Sequence, residues 1–220
     1  MTTINVLFIG NSHTYLHYMP EMVAKLGEAG GHHIDARQIT GEGASLEWHW
    51  KSPDTRVLIK EIKWDYVILQ ERSGGPLENR AAMSDYARRL HEEIKAQGAK
   101  TVLFMTWANR QRPETQKVIA DAYTQLSGEL GAMLAPVGLV WEKAQKEYSA
   151  FNLHHRDGRH ANPAGSYLTA CVFYAIFTAK SPVGLPGTLF VAEKERVNLA
   201  TDKASFLQEL AEESLMSTIR

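Results

Sequence analysis

Residues 6 to 9 read Val-Leu-Phe-Ile, an apolar run closed by Gly10-Asn11-Ser12. A short apolar run ending in turn residues predicts a strand buried on both faces that opens into a loop. From Tyr15 to Ala29 the pattern changes: Leu16, Met19, Val23 and Leu26 recur every three or four residues, one face of a helix, and Gly30-Gly31 stops it. His33 to Ile39 alternates as a second strand, Trp64 to Leu69 is a third, and Thr101 to Thr106 is a fourth. Helices are predicted over Ala82 to Gln97 and Pro113 to Leu134, a fifth strand over Pro136 to Val140, and a short helix over Trp141 to Tyr148. After a polar loop at His154 to His160, Asn162 can cap a helix, Pro163 suits its first position, and the helix runs through Phe177. A final amphipathic helix spans Lys203 to Ile219.

Strands that alternate with helices predict an α/β protein with a mostly parallel five-stranded sheet covered on both faces. No repeat, low-complexity tract or linker divides the sequence, so residues 1–220 are expected to form one domain. Charge adds an exclusion: 24 Lys and Arg face 25 Asp and Glu, leaving no reason to expect nucleic acid or an anionic membrane as a partner. No stretch approaches the roughly 20 apolar residues of a membrane span. The N-terminus shows no basic, then apolar, then small-residue order of a secretion signal, and the single cysteine, Cys171, has no internal partner. A cytoplasmic location is the expectation. Cys171 sits in the apolar stretch Ala170 to Tyr174 and reads as a small core residue.

In an open parallel sheet, ligands gather beyond the carboxyl ends of the strands. The residues there are Gly10 to Thr14, Gly41 to Ser45, Gln70 to Gly75, Trp107 to Arg110, and, after the fifth strand, Asp157 to His160. Together they hold a hydroxyl, backbone donors on glycine, and a carboxylate three residues before an imidazole, which are the parts of an acyl-transfer site. Ser12 stands at a strand-to-helix turn, where its oxygen can enter a cleft and its N–H can face a developing oxyanion. A serine hydroxyl needs an adjacent base, which His160 can be, and Asp157 can reach the other ring nitrogen to fix the tautomer. Activity should then rise with pH as the imidazole loses its proton. Taken singly, each motif is ordinary turn chemistry; their joint order gives them weight.

These residues resemble the SGNH (GDSL-like) hydrolases. Val6 to Thr14, with Asn11 where many members have Asp, is similar to the family's first block; Gly43 is similar to the glycine of the second; Asp157-Gly158-Arg159-His160 is similar to the last, Asp-x-x-His. The likeness runs from about residue 4 to about residue 180. It is strongest to a poorly characterised branch with Asn-Ser-x-Thr-Tyr, Trp-Asp-Tyr-Val-Ile-Leu-Gln and Gly-Ser-Tyr-Leu, here Asn11 to Tyr15, Trp64 to Gln70 and Gly165 to Leu168. The resemblance implies a flavodoxin-like three-layer α/β/α sandwich and cofactor-free ester hydrolysis, with a small-molecule or carbohydrate ester as substrate. It implies Ser12 as nucleophile and the N–H groups of Ser12 and Gly43 as oxyanion donors. The family's third block supplies an Asn donor that this chain lacks. Gln70, at the end of the third strand, is the expected substitute and Ser73 the next candidate.

Other features admit other readings. His13 and His17 stand one helical turn apart, and His154, His155, Asp157 and His160 are close in sequence, so a metal-dependent hydrolase is an alternative, although no His-Glu-x-x-His motif is present. The missing Asn also admits a carbohydrate-binding module without catalysis. Trp48, Trp50, Trp107 and Asn109 fall near strand ends, where Trp107 and Asn109 are candidates for substrate contact. Arg72, Arg110 and Arg112 stand on the same rim, either solvated or facing an anionic substrate.

Overall fold

The computed structural model describes residues 2–148 and 151–218. In chain order the elements are β1 (Thr3–Gly10), α1 (Ser12–Tyr15), α2 (Met19–Ala29), β2 (His33–Thr40), α3 (Leu46–Lys51), α4 (Pro53–Glu61), β3 (Tyr66–Leu69), α5 (Gly75–Glu78), α6 (Arg80–Ala96) and β4 (Lys100–Phe104). They continue with α7 (Gln116–Leu130), β5 (Met133–Ala135), α8 (Val137–Glu147), α9 (Pro163–Thr178), β6 (Thr188–Val191), β7 (Lys194–Asn198) and α10 (Thr201–Thr218). Strands β1 to β5 form one sheet in the order β2-β1-β3-β4-β5, with every pairing parallel. This is the flavodoxin-like order.

Side chains alternate across a strand, so the apolar run of β1 feeds two cores. Val6 and Phe8 join Ile68, Val102 and Phe104 on the face covered by α2, α8 and α9. Leu7 and Ile9 join Val67, Leu69 and Leu103 on the opposite face, which α6 and α7 cover with Leu90, Ile94, Ile119 and Tyr123. Being buried on both sides is why β1 and β3 lack polar alternation. Helix α9 is apolar all round because it is enclosed: α2 packs on one side of it and α10 on another, and every residue from Gly165 to Phe177 is buried. No helix among the described residues is long and apolar enough to cross a membrane.

The structure departs from the local expectations at several points. The fifth strand is Met133–Ala135, and Pro136 to Val140 leads into α8 instead. Gly131 takes a left-handed conformation that ends α7, three residues pair with β4, and Val137, Val140, Trp141 and Ala144 then present one buried helical face. The helix expected from Tyr15 to Ala29 is broken where His17 and Tyr18 both adopt positive φ, 56° and 60°. Residues 46–61 carry α3 and α4, and β6 and β7 form an antiparallel hairpin, none of which the hydrophobic pattern announced. The last helix begins at Thr201, and its expected end at Ile219 lies outside the described residues.

Candidate active site

From β1 the chain crosses to β2 at the sheet edge, and from β2 it returns to β3 on the other side of β1, so the crossover direction reverses between β1 and β3. A crevice opens at such a point, beyond the carboxyl ends of the two strands. Ser12 stands there as the first residue of α1, which Asn11 caps by accepting the His13 N–H at 3.1 Å. Gly10 has no alternative in this turn: a Cβ would stand 2.5 Å from Gln70 Oε1 and from Thr14 Oγ1.

Ser12 Oγ lies 2.9 Å from His160 Nε2, across 148 residues of sequence. On the far side of the ring, Nδ1 is 2.6 Å from Asp157 Oδ2. An ionised carboxylate can only accept, so Nδ1 carries the proton and Nε2 presents its lone pair to the serine hydroxyl. Asp157 Oδ1 also accepts the backbone N–H groups of Arg159 and His160, at 2.8 and 3.0 Å. Partial burial pushes the Asp157 carboxyl up, but the hydrogen bonds from the His160 ring and the two N–H groups outweigh it and hold it below the usual carboxylate range. The loop that carries both residues is tied at its ends, where the His155 N–H donates to the His160 carbonyl at 2.7 Å and the Asn162 side chain caps α9 on the Gly165 N–H at 3.0 Å.

The cleft around these groups has a volume of about 420 Å³, and Ser12, Gly43, Asp157 and His160 are in its lining. Gly43 has φ +61°, a conformation costly for residues other than glycine. Neither the Ser12 nor the Gly43 N–H has a hydrogen-bond acceptor among the described residues.

Gln70 is placed otherwise than expected. It is fully buried, and its Oε1 accepts the Asn11 N–H at 2.9 Å and the Thr14 hydroxyl at 3.0 Å. Its amide nitrogen donates to the Glu71 carbonyl. Gln70 therefore braces the loop of Ser12 and has no free face toward the cleft, which corrects the expectation of an oxyanion donor. Ser73, the next candidate, lines a neighbouring cleft together with Trp107 and Asn109. Among the described residues no Asn side chain lines the Ser12 cleft. The brace was missed because its partners are 56 and 59 residues away in sequence. A polar residue ending an otherwise apolar strand was the available signal. His49 is a second hidden support, with Nε2 on the Gly10 carbonyl at 2.8 Å and Nδ1 on Thr55 Oγ1 at 3.1 Å.

Against this geometry, a structure from Slackia heliotrinireducens assigned to the SGNH hydrolases is 29% identical, covering 79% of this chain and 98% of its own, with a TM-score of 0.66. The chain belongs to the SGNH, or GDSL-like, hydrolase superfamily. This SGNH chain is also similar to a DUF4886 family protein from Bacteroides uniformis, at 20% identity over 98% of this chain and 95% of that one, with a TM-score of 0.77. An acetyl xylan esterase, AlAXEase, shares the fold at 13% identity over 79% of this chain and 99% of its own, with a TM-score of 0.67. No family model and no curated protein matches the sequence.

Several other histidines of this SGNH hydrolase have local partners. His154 Nε2 lies 3.0 Å from the Ala108 carbonyl and Nδ1 3.0 Å from Gln145 Nε2; His17 Nε2 lies 3.1 Å from the Ala161 carbonyl. Burial lowers the pKa of both. His155 Nδ1 stands 3.6 Å from Asp157. Among the described residues no three His, Cys, Asp or Glu side chains gather as a metal-binding group. Cys171 is buried in α9, and burial pushes its thiol up to about 12.

Proposed function

We propose that this chain hydrolyses carboxylic esters through an acyl-enzyme on Ser12. The observation that carries the reading is the continuous relay from Ser12 Oγ through His160 to Asp157, at 2.9 and 2.6 Å. Ser12 Oγ attacks the ester carbonyl carbon while its proton passes to His160 Nε2. The carbonyl oxygen becomes an oxyanion, received by the N–H groups of Ser12 and Gly43, each worth on the order of 3 kcal/mol to the transition state. The carbon–oxygen bond to the alcohol then breaks, and His160 returns the proton to the departing oxygen. Water, deprotonated by the same nitrogen, attacks the acyl-serine, releases the acid and restores Ser12. Asp157 stays ionised throughout and stabilises the imidazolium.

The substrate is a short acyl ester, such as an acetyl group on a carbohydrate or small molecule. The size of the cleft and the presence of an acetyl xylan esterase on the same fold support this. The wild type should release p-nitrophenol from p-nitrophenyl acetate, and Ser12→Ala should abolish the release. Equal rates for the two proteins across a broad ester panel would defeat the reading.

A further inference from the structure

Beside the Ser12 cleft lies a second, of about 330 Å³, whose lining includes Arg72, Glu78, Trp107, Arg112 and Arg159. Arg159 lines both clefts. Its backbone is fixed from two sides: its N–H donates to Asp157 Oδ1 at 2.8 Å, and its carbonyl accepts the Trp107 indole N–H at 2.9 Å. Its guanidinium, by contrast, is exposed and has no hydrogen bond or ion pair among the described residues. Arg72 is paired with Glu78 at 2.6 Å, and Arg112 only loosely with Glu114 at 3.7 Å. Three guanidiniums thus face a single carboxylate within the lining of the second cleft.

An arginine anchored by its backbone, with its fork unspent, is suited to planar two-point recognition of a carboxylate or phosphate. A sugar ring stacked on Trp107 fits the cleft less well. That indole is only 3% exposed, with one face stacked on Trp141 at 3.8 Å and His13 against it at 5.0 Å. His13 in turn packs on His160, with ring centroids 5.3 Å apart, so the wall of the second cleft is continuous with the reacting groups. We propose that the second cleft binds an anionic group, a carboxylate or phosphate, carried by the ester substrate, and that Arg159 selects for it. This rests on the ester-hydrolase reading and narrows its substrate class. The charge steers the ester toward Ser12 and lowers KM more than it raises kcat.

The test uses matched esters that differ in charge. On the alcohol side these are 4-acetoxybenzoate, 4-acetoxyphenyl phosphate and the neutral 4-acetoxybenzamide; on the acyl side they are monoethyl adipate and the neutral ethyl adipamate. In low salt the wild type should favour at least one charged member by about fivefold in kcat/KM, the scale of a partly exposed ion pair. That preference should shrink in about 0.5 M salt. Arg159→Gln should remove it and Arg159→Lys should keep part of it, which separates the lost charge from a disturbed loop. The charged ester with the larger loss tells carboxylate from phosphate. Charge preferences equal in wild type and Arg159→Gln on both sides would overturn the anionic subsite while leaving ester hydrolysis standing. No turnover of any of these esters above the Ser12→Ala level would instead overturn the ester-hydrolase reading beneath it.

Discussion

The position of the Ser12 hydroxyl depends on side chains that never touch it. Gln70 holds Asn11 and Thr14 on either side of the nucleophile, and His49 holds the Gly10 carbonyl before it. Replacing Gln70 with Ala strands a buried N–H and a buried hydroxyl and should cost about 2 to 4 kcal/mol of stability, read from the urea midpoint. A kcat loss with unchanged stability would mean that Gln70 serves the reaction directly. Asp157→Asn keeps an acceptor for the two backbone N–H groups but supplies an amide where the imidazole needs a carboxylate. It should lower kcat by about 10³- to 10⁴-fold with KM little changed. Steady-state kinetics on one ester decides this. Ser12, Asp157 and His160 could be picked out from the sequence because the turn residues and the helix cap beside them have local signatures. The roles of Gln70 and Arg159 could not, because each depends on neighbours that only folding supplies.

At the scale of elements, α9 shows what the sequence makes plain. Asn162 and Pro163 announce its start, and its apolar length announces its burial. That cap also anchors the end of the loop carrying His160. Asn162→Ala should therefore cost about 1 kcal/mol, seen as a lower melting temperature, and should reduce activity beyond what that loss of stability explains. Equal activity per folded molecule would show that the cap serves the helix alone. Strand β5 shows the opposite case. From Ala132 to Val140 the chain is largely apolar, and a run of that kind fits a buried strand or a buried helix face equally. The helical spacing of Val137, Val140, Trp141 and Ala144 was the discriminating signal. Helices α3 and α4 left a weaker trace because their exposed faces mix charge with aromatic residues, such as Trp48 at 50% exposure.

Across the whole molecule, burial depresses the pKa of His13, His17, His49, His91 and His154 alike. His13 is pushed furthest, to about 3, by burial and then by the charges of His160 and Arg159. The folded protein keeps these rings neutral below pH 6.5, where the unfolded chain takes up protons, so stability falls as pH falls. His13 alone contributes on the order of 5 kcal/mol to that loss between pH 6.5 and 3. His13→Gln should flatten the dependence of unfolding free energy on pH across this window, as measured by chemical denaturation; an unchanged slope would place the coupling elsewhere. The sheet order that forms the crevice brings residue 12 to residue 160, and the central claim is that this meeting makes the serine reactive. A fluorophosphonate probe followed by peptide mass spectrometry tests it most directly. The account predicts one adduct, on Ser12, that is lost in His160→Ala with the fold intact. Wild-type protein that stays unlabelled, or labelling of Ser12 that persists at full rate without His160, would contradict it.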